Sequence, residues 1–238
     1  MPELTPRRAK RVGHKGAHHI APGNTLASFD AALDAGVDMI EFDVLPERGG
    51  DRLLLAHDYA DAKRPDVITL AEGLEHLRGM PYEGVELDVD LKGTGYEDRV
   101  VAALREHGML ERSLISTMEI DSIRRLRETA PDARIGLSVP KLRRDPLKTW
   151  YTRYPAYVIG GVARELLPIR AARAIRAGQF DALMCHFALV TPRLAKAIPA
   201  AGGELYVWTV DDAARIARLE ALGVAGVITN DPRLFAPS

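Results

Sequence analysis

The sequence predicts a single-domain (β/α)8 barrel over residues 1–238. About eight strand–helix units alternate along the chain, and such a barrel typically takes ~250 residues. Polar residues also gather at or near the carboxyl ends of the predicted strands, which is where these barrels carry their active sites. The competing fold, an open doubly wound sheet, often has a glycine-rich phosphate loop after its first strand. Gly13-His14-Lys15-Gly16 is not such a loop.

Short apolar strands alternate with capped helices in the first half of the chain. The predicted strands cover residues 11–16, 39–44, 52–57 and 83–91, and the predicted helices cover 26–35, 69–77 and 97–107. Thr25 stands before the first helix as an N-cap residue, and Thr69 and Glu72 have the spacing of a capping box. The turn-like residues 47–51 place the strand at 52–57 beside its neighbour as a hairpin arm.

The second half of the chain continues the alternation with one interruption. The predicted strands cover residues 113–117, 135–139, 182–185, 205–209 and 224–229, and the predicted helices cover 120–129, 166–177, 192–198 and 212–222. Residues 140–167 exceed a normal connection in a compact barrel, so we treat them as an insertion. When the hairpin arm is counted with its neighbour, about eight strand–helix units remain, as the barrel requires.

The insertion at residues 140–167 mixes aromatic and basic side chains. They include Trp150, Tyr151, Tyr154, Tyr157, Lys141, Arg143, Arg144, Lys148 and Arg153. Such a mixture suits a membrane interface that admits a lipid head group, so peripheral membrane contact is one prediction. The alternative, which we favour, is a lid across the barrel whose aromatic side chains pack against one another.

Composition excludes several classes of protein. The chain has 47% hydrophobic and 27% charged residues, as is ordinary for a globular protein, and its net charge of −1 attracts neither nucleic acid nor an anionic membrane. The single cysteine, Cys185, excludes an internal disulfide framework. The sequence shows no signal-peptide pattern and no apolar stretch long enough to span a bilayer, so we expect a cytoplasmic protein.

Two carboxylates at the end of one predicted strand provide the main functional signal. Glu41 and Asp43 flank Phe42, and because strand side chains alternate, the two acids project to the same face. His14 lies upstream and His57 downstream. Paired carboxylates suit a hard divalent cation, and two histidines suit an acid/base pair. The pattern therefore predicts a hydrolase site that acts on phosphate compounds.

Seven short motifs in order carry a resemblance to a known family. They are His14-Lys15-Gly16, Pro22-Gly23-Asn24-Thr25, Glu41-Phe42-Asp43-Val44, His57-Asp58, Asp90-Leu91-Lys92, Trp208-Thr209-Val210 and Thr229-Asn230-Asp231-Pro232. Together they make the chain resemble the glycerophosphodiester phosphodiesterase family over nearly its whole length. The resemblance implies a (β/α)8 barrel with Mg²⁺ or Ca²⁺ that hydrolyses glycerophosphodiesters to glycerol 3-phosphate and an alcohol.

The resemblance also implies roles for individual residues. His14 and His57 take the positions of the catalytic histidines. Glu41, Asp43 and Asp90 take those of the metal ligands. Lys92 takes that of a phosphate contact, and Trp208 that of a pocket wall. A cation in this place would neutralise the charge that develops on a phosphodiester, and Lys15 and Lys92 would allow an anionic substrate to enter. The sequence does not decide which histidine is the acid and which is the base.

Three departures from the family pattern bear on the substrate. Lys15 replaces the usual arginine and loses its bidentate fork. Gly23 replaces a glutamate, and Asp90 is a shorter substitute for the usual glutamate ligand. An Asp-x-Lys at this place is similar to sphingomyelinase D and phospholipase D-like barrels. A lipid phosphodiesterase is therefore the first alternative, and a catalytically idle barrel that binds phosphorylated ligands is the second.

Several of these residues also have purely structural interpretations. His14 could be a structural histidine at a strand end, Lys92 an ordinary lysine of the barrel mouth, and Trp208 a packing residue. Cys185 fits a buried thiol better than a nucleophile, because no orienting partner is visible. Residues 230–232 are expected to shape a loop rather than to take part in chemistry.

Overall fold

Eight parallel strands close into a barrel in the computed structural model, which describes residues 8–141 and 150–235, without side chains at 150–160, 162 and 163. The described strands are β1 (Lys10–Gly13), β2 (Met39–Pro46), β3 (Leu53–Leu55), β4 (Glu86–Leu91), β5 (Ser113–Thr117), β6 (Arg134–Val139), β7 (Ala182–His186), β8 (Glu204–Trp208) and β9 (Gly226–Thr229). β1 pairs with both β2 and β9, which closes the ring, while β3 pairs with β2 antiparallel. The predicted barrel and its hairpin arm are confirmed.

Helices on the outside of the ring follow most of the strands. In the described residues they are α1 (Leu26–Asp34), α2 (Leu70–Leu77), α3 (Glu97–Glu106), α4 (Ile120–Thr129), α5 (Trp150–Arg176), α6 (Pro192–Ala197) and α7 (Ala213–Ala221). Thr25 and Thr69 cap α1 and α2 through reciprocal capping boxes. These caps satisfy backbone groups that a helix end would otherwise leave without partners. The capping box predicted for Thr69 and Glu72 is therefore confirmed.

The helix that precedes β7 is much longer than the sequence indicated. The predicted bounds were 166–177, whereas α5 covers Trp150–Arg176. The additional residues belong to the stretch treated above as an insertion, and Pro155 and the pair Gly160-Gly161 within it are poor helix formers. The backbone nevertheless remains helical through them. Residues 142–149 and the aromatic side chains at 150–157 lie outside what the structure describes, so the choice between lid and membrane contact stays a prediction.

The inside of the barrel is layered. Alternate strands place Lys10, Glu86, Arg134 and Glu204 at its amino-terminal end, as the strand register requires. A buried apolar layer follows, made of Val12, Met39, Leu114, Ala182, Met184, Tyr206 and Ile228. Beyond it, at the carboxyl ends of the strands, lies the end that we call the mouth. The apolar layer therefore separates two sets of charged side chains.

The main hydrophobic core lies between the strands and the helices. Ile40, Phe42 and Val44 alternate outward from β2 and are fully buried there. Phe42 packs against Phe29 of α1, with ring centroids 5.6 Å apart. This packing holds the start of α1 beside the mouth. Among the described residues no helix combines the length and apolar character needed to cross a membrane.

Candidate active site

Three carboxylates meet at the mouth, and we call Glu41, Asp43 and Asp90 the acidic cluster. β2 and β4 pair in parallel with Asp43 opposite Asp90, and inward alternation on β2 puts Glu41 on the same face. One oxygen from each of the three residues lies within 4.8 Å of the others. The predicted ligand trio is therefore brought together by strand register.

Two lysines lie against the acidic cluster. Lys15 Nζ is 3.3 Å from Asp43 Oδ2, and Lys92 Nζ is 2.7 Å from Asp43 Oδ1. The Lys92 ammonium also contacts the Asp90 carboxylate. Both lysines are mostly buried, with 16% and 18% of their side chains exposed. Positive charge therefore stands at the place where an anionic substrate would enter.

Asn24 holds Asp43 from the other side. Its Nδ2 donates to Asp43 Oδ2 at 2.8 Å, and its Oδ1 accepts from the Asp43 backbone N at 3.1 Å. Asn24 and Lys15 both have left-handed backbone conformations, with φ of 59° and 53°. Such conformations are uncommon outside glycine and cluster at functional sites. The loop between β1 and α1 is thus bent so that both side chains face the acidic cluster.

The carboxylates differ in how easily they carry charge. Burial raises the pKa of Glu41 well above its usual range, and the neighbouring carboxylate of Asp43 raises it further. Burial also raises the pKa of Asp90. Burial acts in the same direction on Asp43, but Lys92 and Lys15 outweigh it and hold the Asp43 pKa below its usual range. Just below the cluster, burial raises the pKa of Asp88 to about 8.

The acidic cluster fits a divalent cation. Asp90 Oδ1 is buried and has no hydrogen-bond partner among the described residues. A buried carboxylate oxygen without a partner is costly, and a cation would satisfy it. Three carboxylates supply the hard oxygen ligands that Mg²⁺ and Ca²⁺ prefer. The chemistry of the donor set therefore matches the predicted metal site.

His14 reaches the edge of the acidic cluster from the end of β1. Its Nε2 is 3.8 Å from Glu41 Oε2, and its Nδ1 is 2.6 Å from Asn230 Oδ1. Only 22% of the side chain is exposed, and its burial lowers the pKa to about 4. The imidazole is therefore neutral at neutral pH and able to accept a proton.

His57 stands on the rim of the same mouth. About half of its side chain is exposed, and its Nδ1 is 3.7 Å from Asp58 Oδ2. A cavity of about 440 Å³ is lined by Lys15, His18, Gly23, His57, Asp58, Ala60, Asp61 and Arg64. A charge on His57 is close enough to lower the pKa of Asp43 and Asp90. His57 thus shares a polar cavity with Lys15, although it does not touch the cluster.

Trp208 lies farther around the mouth, at the end of β8. Its ring meets His186 edge-on, with centroids 5.2 Å apart. The indole Nε1 is buried and has no hydrogen-bond partner among the described residues. Cys185, on the opposite face of β7, is fully buried, and burial raises its pKa to about 12. The interpretation of Cys185 as an inert buried thiol agrees with this environment.

Three residues of the site were missed by sequence reasoning. Asn24 and Asn230 stand in two of the motifs that carry the family resemblance, but Asn24 was otherwise interpreted as part of a helix start and Asn230 as a residue that shapes a loop, and neither was given a role in the site. Asp211, which accepts hydrogen bonds from Asn230, gave no signal at all. The one available hint was position, because Asn230 and Asp211 both follow the carboxyl ends of barrel strands.

Comparisons with known proteins agree with this geometry. The sequence model of the glycerophosphoryl diester phosphodiesterase family matches residues 14–58 and 66–234. The chain is 25% identical over 257 residues to a glycerophosphodiester phosphodiesterase of Caldanaerobacter subterraneus subsp. tengcongensis, with 93% of each chain covered. It is also 25% identical over 260 residues to glycerophosphodiester phosphodiesterase GDPD4 of Arabidopsis thaliana, covering 93% of this chain and 70% of that one.

Solved structures show the same fold. A glycerophosphodiester phosphodiesterase from Parabacteroides distasonis superposes with a TM-score of 0.69 at 17% identity, covering 94% of this chain and 93% of the other. An Oleispira antarctica phosphodiesterase in complex with the product sn-glycerol-3-phosphate gives a TM-score of 0.70 at 20% identity, covering 95% and 94%. The family match spans most of the sequence. The chain therefore belongs to the glycerophosphoryl diester phosphodiesterase family and is a phosphoric diester hydrolase.

Proposed function

We propose that this protein hydrolyses glycerophosphodiesters to glycerol 3-phosphate and an alcohol, with a divalent cation held by Glu41, Asp43 and Asp90. The observation that carries the proposal is the meeting of three carboxylates, two lysines and a buried histidine at one barrel mouth. Family membership supports the reaction. The Oleispira antarctica relative was solved with sn-glycerol-3-phosphate as its product.

The lysines would bind and orient the phosphate. Lys15 and Lys92 bring two positive charges to a partly dry site, where such charges act more strongly than in water. Both now pair with carboxylates of the acidic cluster. A Mg²⁺ or Ca²⁺ ion bound there would supply Lewis-acid stabilisation of the charge that develops on the phosphate oxygens. Trp208 would form one wall of the pocket.

The two histidines would carry the proton transfers. His14 is neutral, so it can accept a proton from the attacking water or hydroxyl as that oxygen bonds to phosphorus. His57 would donate a proton to the leaving oxygen as the bond between phosphorus and that oxygen breaks. The Asp58 carboxylate lies 3.7 Å from His57 Nδ1, on the side of the ring from which it would orient the imidazole for this role. Exchange with solvent then restores both histidines.

The test is an assay of glycerol 3-phosphate release from glycerophosphocholine, with and without magnesium or calcium. We expect turnover only with the cation, and His14→Ala and His57→Ala should each lower kcat by about 10²–10⁴-fold. His107→Ala is the matched control, because His107 caps the far end of α3 through its own backbone contact. Full activity in both site variants would refute the assigned roles.

A lipid phosphodiesterase is the second candidate. The Asp90-Leu91-Lys92 motif and the aromatic and basic residues of 140–167 favour it, and membrane contact through that segment would present a lysolipid to the mouth. Turnover restricted to diesters that carry an acyl chain would support this candidate against the first. Family membership argues against a catalytically idle barrel. The cytoplasmic location and the single-domain organisation with its insertion remain predictions.

A further inference from the structure

A chain of hydrogen bonds runs from Asp211 to His14. Asp211 Oδ2 accepts from Asn230 Nδ2 at 2.7 Å, and Asp211 Oδ1 accepts from the Asn230 backbone N at 2.8 Å. Thr229 Oγ1 also donates to Asp211 Oδ1, at 2.9 Å. On its other side, Asn230 Oδ1 lies 2.6 Å from His14 Nδ1. The side-chain amide of Asn230 therefore lies between the Asp211 carboxylate and the His14 imidazole and hydrogen-bonds to both.

The chemistry of these groups fixes how the amide is turned. An ionised carboxylate only accepts hydrogen bonds, and the pKa of Asp211 lies below its usual range, since the hydrogen bonds from Asn230 and Thr229 outweigh the effect of burial. The Asn230 NH₂ group must therefore face Asp211. The amide oxygen must then face His14, and this oxygen can only accept. Turning the Asn230 amide over would place its oxygen against the Asp211 carboxylate, so that two acceptors would face each other.

The orientation of the amide decides the tautomer of His14. Nδ1 must carry the proton, because its partner at 2.6 Å is an acceptor. Nε2 of the neutral ring is then bare. It lies 3.8 Å from Glu41 Oε2, beyond hydrogen-bond distance, and that oxygen instead accepts from the Lys15 backbone N at 2.8 Å. The bare nitrogen is thus on the side of the ring that faces the acidic cluster.

We propose that Asp211 is a positioning residue that holds His14, through the Asn230 amide, in the tautomer whose bare Nε2 faces the acidic cluster. The hydrogen bond that one ring nitrogen of a reacting histidine makes commonly sets which nitrogen carries the proton. Here an amide transmits the preference of a carboxylate that does not itself touch the imidazole. The value of this tautomer for catalysis rests on the function proposed above, whereas the tautomer itself does not.

The first measurement needs no variant. Protein labelled with ¹⁵N in its histidines is studied by NMR slightly above neutral pH, with magnesium present, and His14 is assigned by comparison with His14→Ala. Protonated and bare ring nitrogens resonate far apart, so the two nitrogens identify the tautomer. We expect Nδ1 to be protonated and Nε2 to be bare. A protonated Nε2 with a bare Nδ1 would overturn the inference.

The second measurement compares Asp211→Asn with Asp212→Asn. An amide at 211 can present either its oxygen or its nitrogen, so Asn230 loses its fixed orientation and the two His14 nitrogen shifts should approach each other. Asp212 is the matched control, because it caps α7 at the next position and asparagine caps a helix equally well. An unchanged His14 spectrum in Asp211→Asn would contradict the proposal.

Activity gives a separate readout. In Asp211→Asn, kcat should fall by tenfold or more, up to the ~10²–10⁴-fold that a general base contributes, while KM changes little. Asp212→Asn should match the wild type in both constants. A wild-type protein without diesterase activity but with the expected tautomer would refute the proposed function alone. A normal kcat in Asp211→Asn would refute the positioning role.

Discussion

Charged side chains lie at both ends of the barrel, buried or nearly so at the mouth and partly exposed at the amino-terminal end, and the two ends balance those charges differently. At the amino-terminal end, Lys10, Glu86, Arg134 and Glu204, which we call the lower cluster, pair completely. Lys10 Nζ lies 2.6 Å from Glu86 Oε1. Arg134 Nη1 lies 2.7 Å from Glu86 Oε2, and Arg134 Nη2 lies 2.6 Å from Glu204 Oε2. Two bases meet two acids, so the lower cluster is neutral and leaves no charge for a ligand.

The mouth lacks this balance. Four carboxyl groups, Glu41, Asp43, Asp88 and Asp90, share one region with the ammonium groups of Lys15 and Lys92. The carboxyl groups outnumber the lysines by two, and burial raises the pKa of Glu41, Asp88 and Asp90, so a divalent cation beside them would favour their ionised forms. Buried charges that lack partners cost stability and persist where function requires them. The lower cluster thus satisfies its own charges, whereas the acidic cluster has the composition of a site for a cation.

The largest expected effect is that of Asp90→Asn, which changes the acidic cluster and leaves the lower cluster intact. Loss of one of three ligands should abolish tight binding of magnesium or calcium and lower kcat/KM by on the order of 10²-fold or more. The folded-state pKa of Asp90 is raised by burial, so ionising this group at neutral pH opposes folding. The free energy of unfolding in metal-free buffer should therefore stay the same or rise. Calorimetric titration and urea unfolding measure the two quantities.

A matched control for Asp90→Asn comes from the other end. Glu204→Gln removes a carboxylate from the lower cluster and leaves the mouth unchanged. Cation affinity should therefore stay the same, and the midpoint urea concentration of unfolding should fall. Equal losses of cation affinity in the two variants would show that the two clusters do not differ in the way described.

Breaking the lower cluster should act on stability alone. Arg134→Met leaves Glu86 and Glu204 without their shared guanidinium. Losing one partner of a fully buried ion pair costs about 3–5 kcal/mol, and since these side chains are 26–36% exposed we expect about 1–3 kcal/mol. Arg105→Met, which breaks an exposed pair with Asp132, should cost less than ~1 kcal/mol. A large loss of kcat/KM in Arg134→Met would contradict the separation of the two ends.

Restoring the family's glutamate at position 23 should be costly for a steric reason. A Cβ there would lie 2.7 Å from His18 Nδ1 and 2.9 Å from Lys15 Cβ. Gly23→Glu should lower the free energy of unfolding by roughly 1–3 kcal/mol, as overpacking usually does. The double variant with His18→Ala should recover part of that loss. Additive losses in the double variant would mean that His18 does not occupy the space of the missing side chain.

The smallest expected effect is that of Glu86→Gln on how the free energy of unfolding changes at acidic pH. Burial alone would raise the pKa of Glu86, but hydrogen bonds from Lys10 and Arg134 outweigh it and hold the pKa below the usual 4.5. A depressed pKa stabilises the fold above 4.5, and this stabilisation is lost as the pH falls through the folded-state pKa. In Glu86→Gln, the free energy of unfolding should therefore fall less steeply below pH 4.5 than in the wild type. Parallel pH profiles of the two proteins would contradict this.

Local patterns predicted the barrel and the shared face of Glu41 and Asp43, whereas Asp90 was predicted as a ligand only through the family resemblance. Alternation on β2 is enough to place Glu41 and Asp43 on one face, and strand register then adds Asp90. The full length of α5 was missed because residues 140–167 were treated as an insertion, and the low helix propensity of Pro155 and the nearby glycines gave no sign that the backbone there is helical. The contact between His14 and Asn230 joins residues 216 positions apart, and no local pattern reports on it.

The central claim is that Glu41, Asp43 and Asp90 bind one divalent cation between them. Anomalous diffraction from crystals soaked in manganese, a stand-in for magnesium that can be located directly, tests it. We expect one strong peak within ligand distance of all three carboxylates. A strong peak elsewhere in the chain, or no peak between the three carboxylates at saturating manganese, would contradict the account.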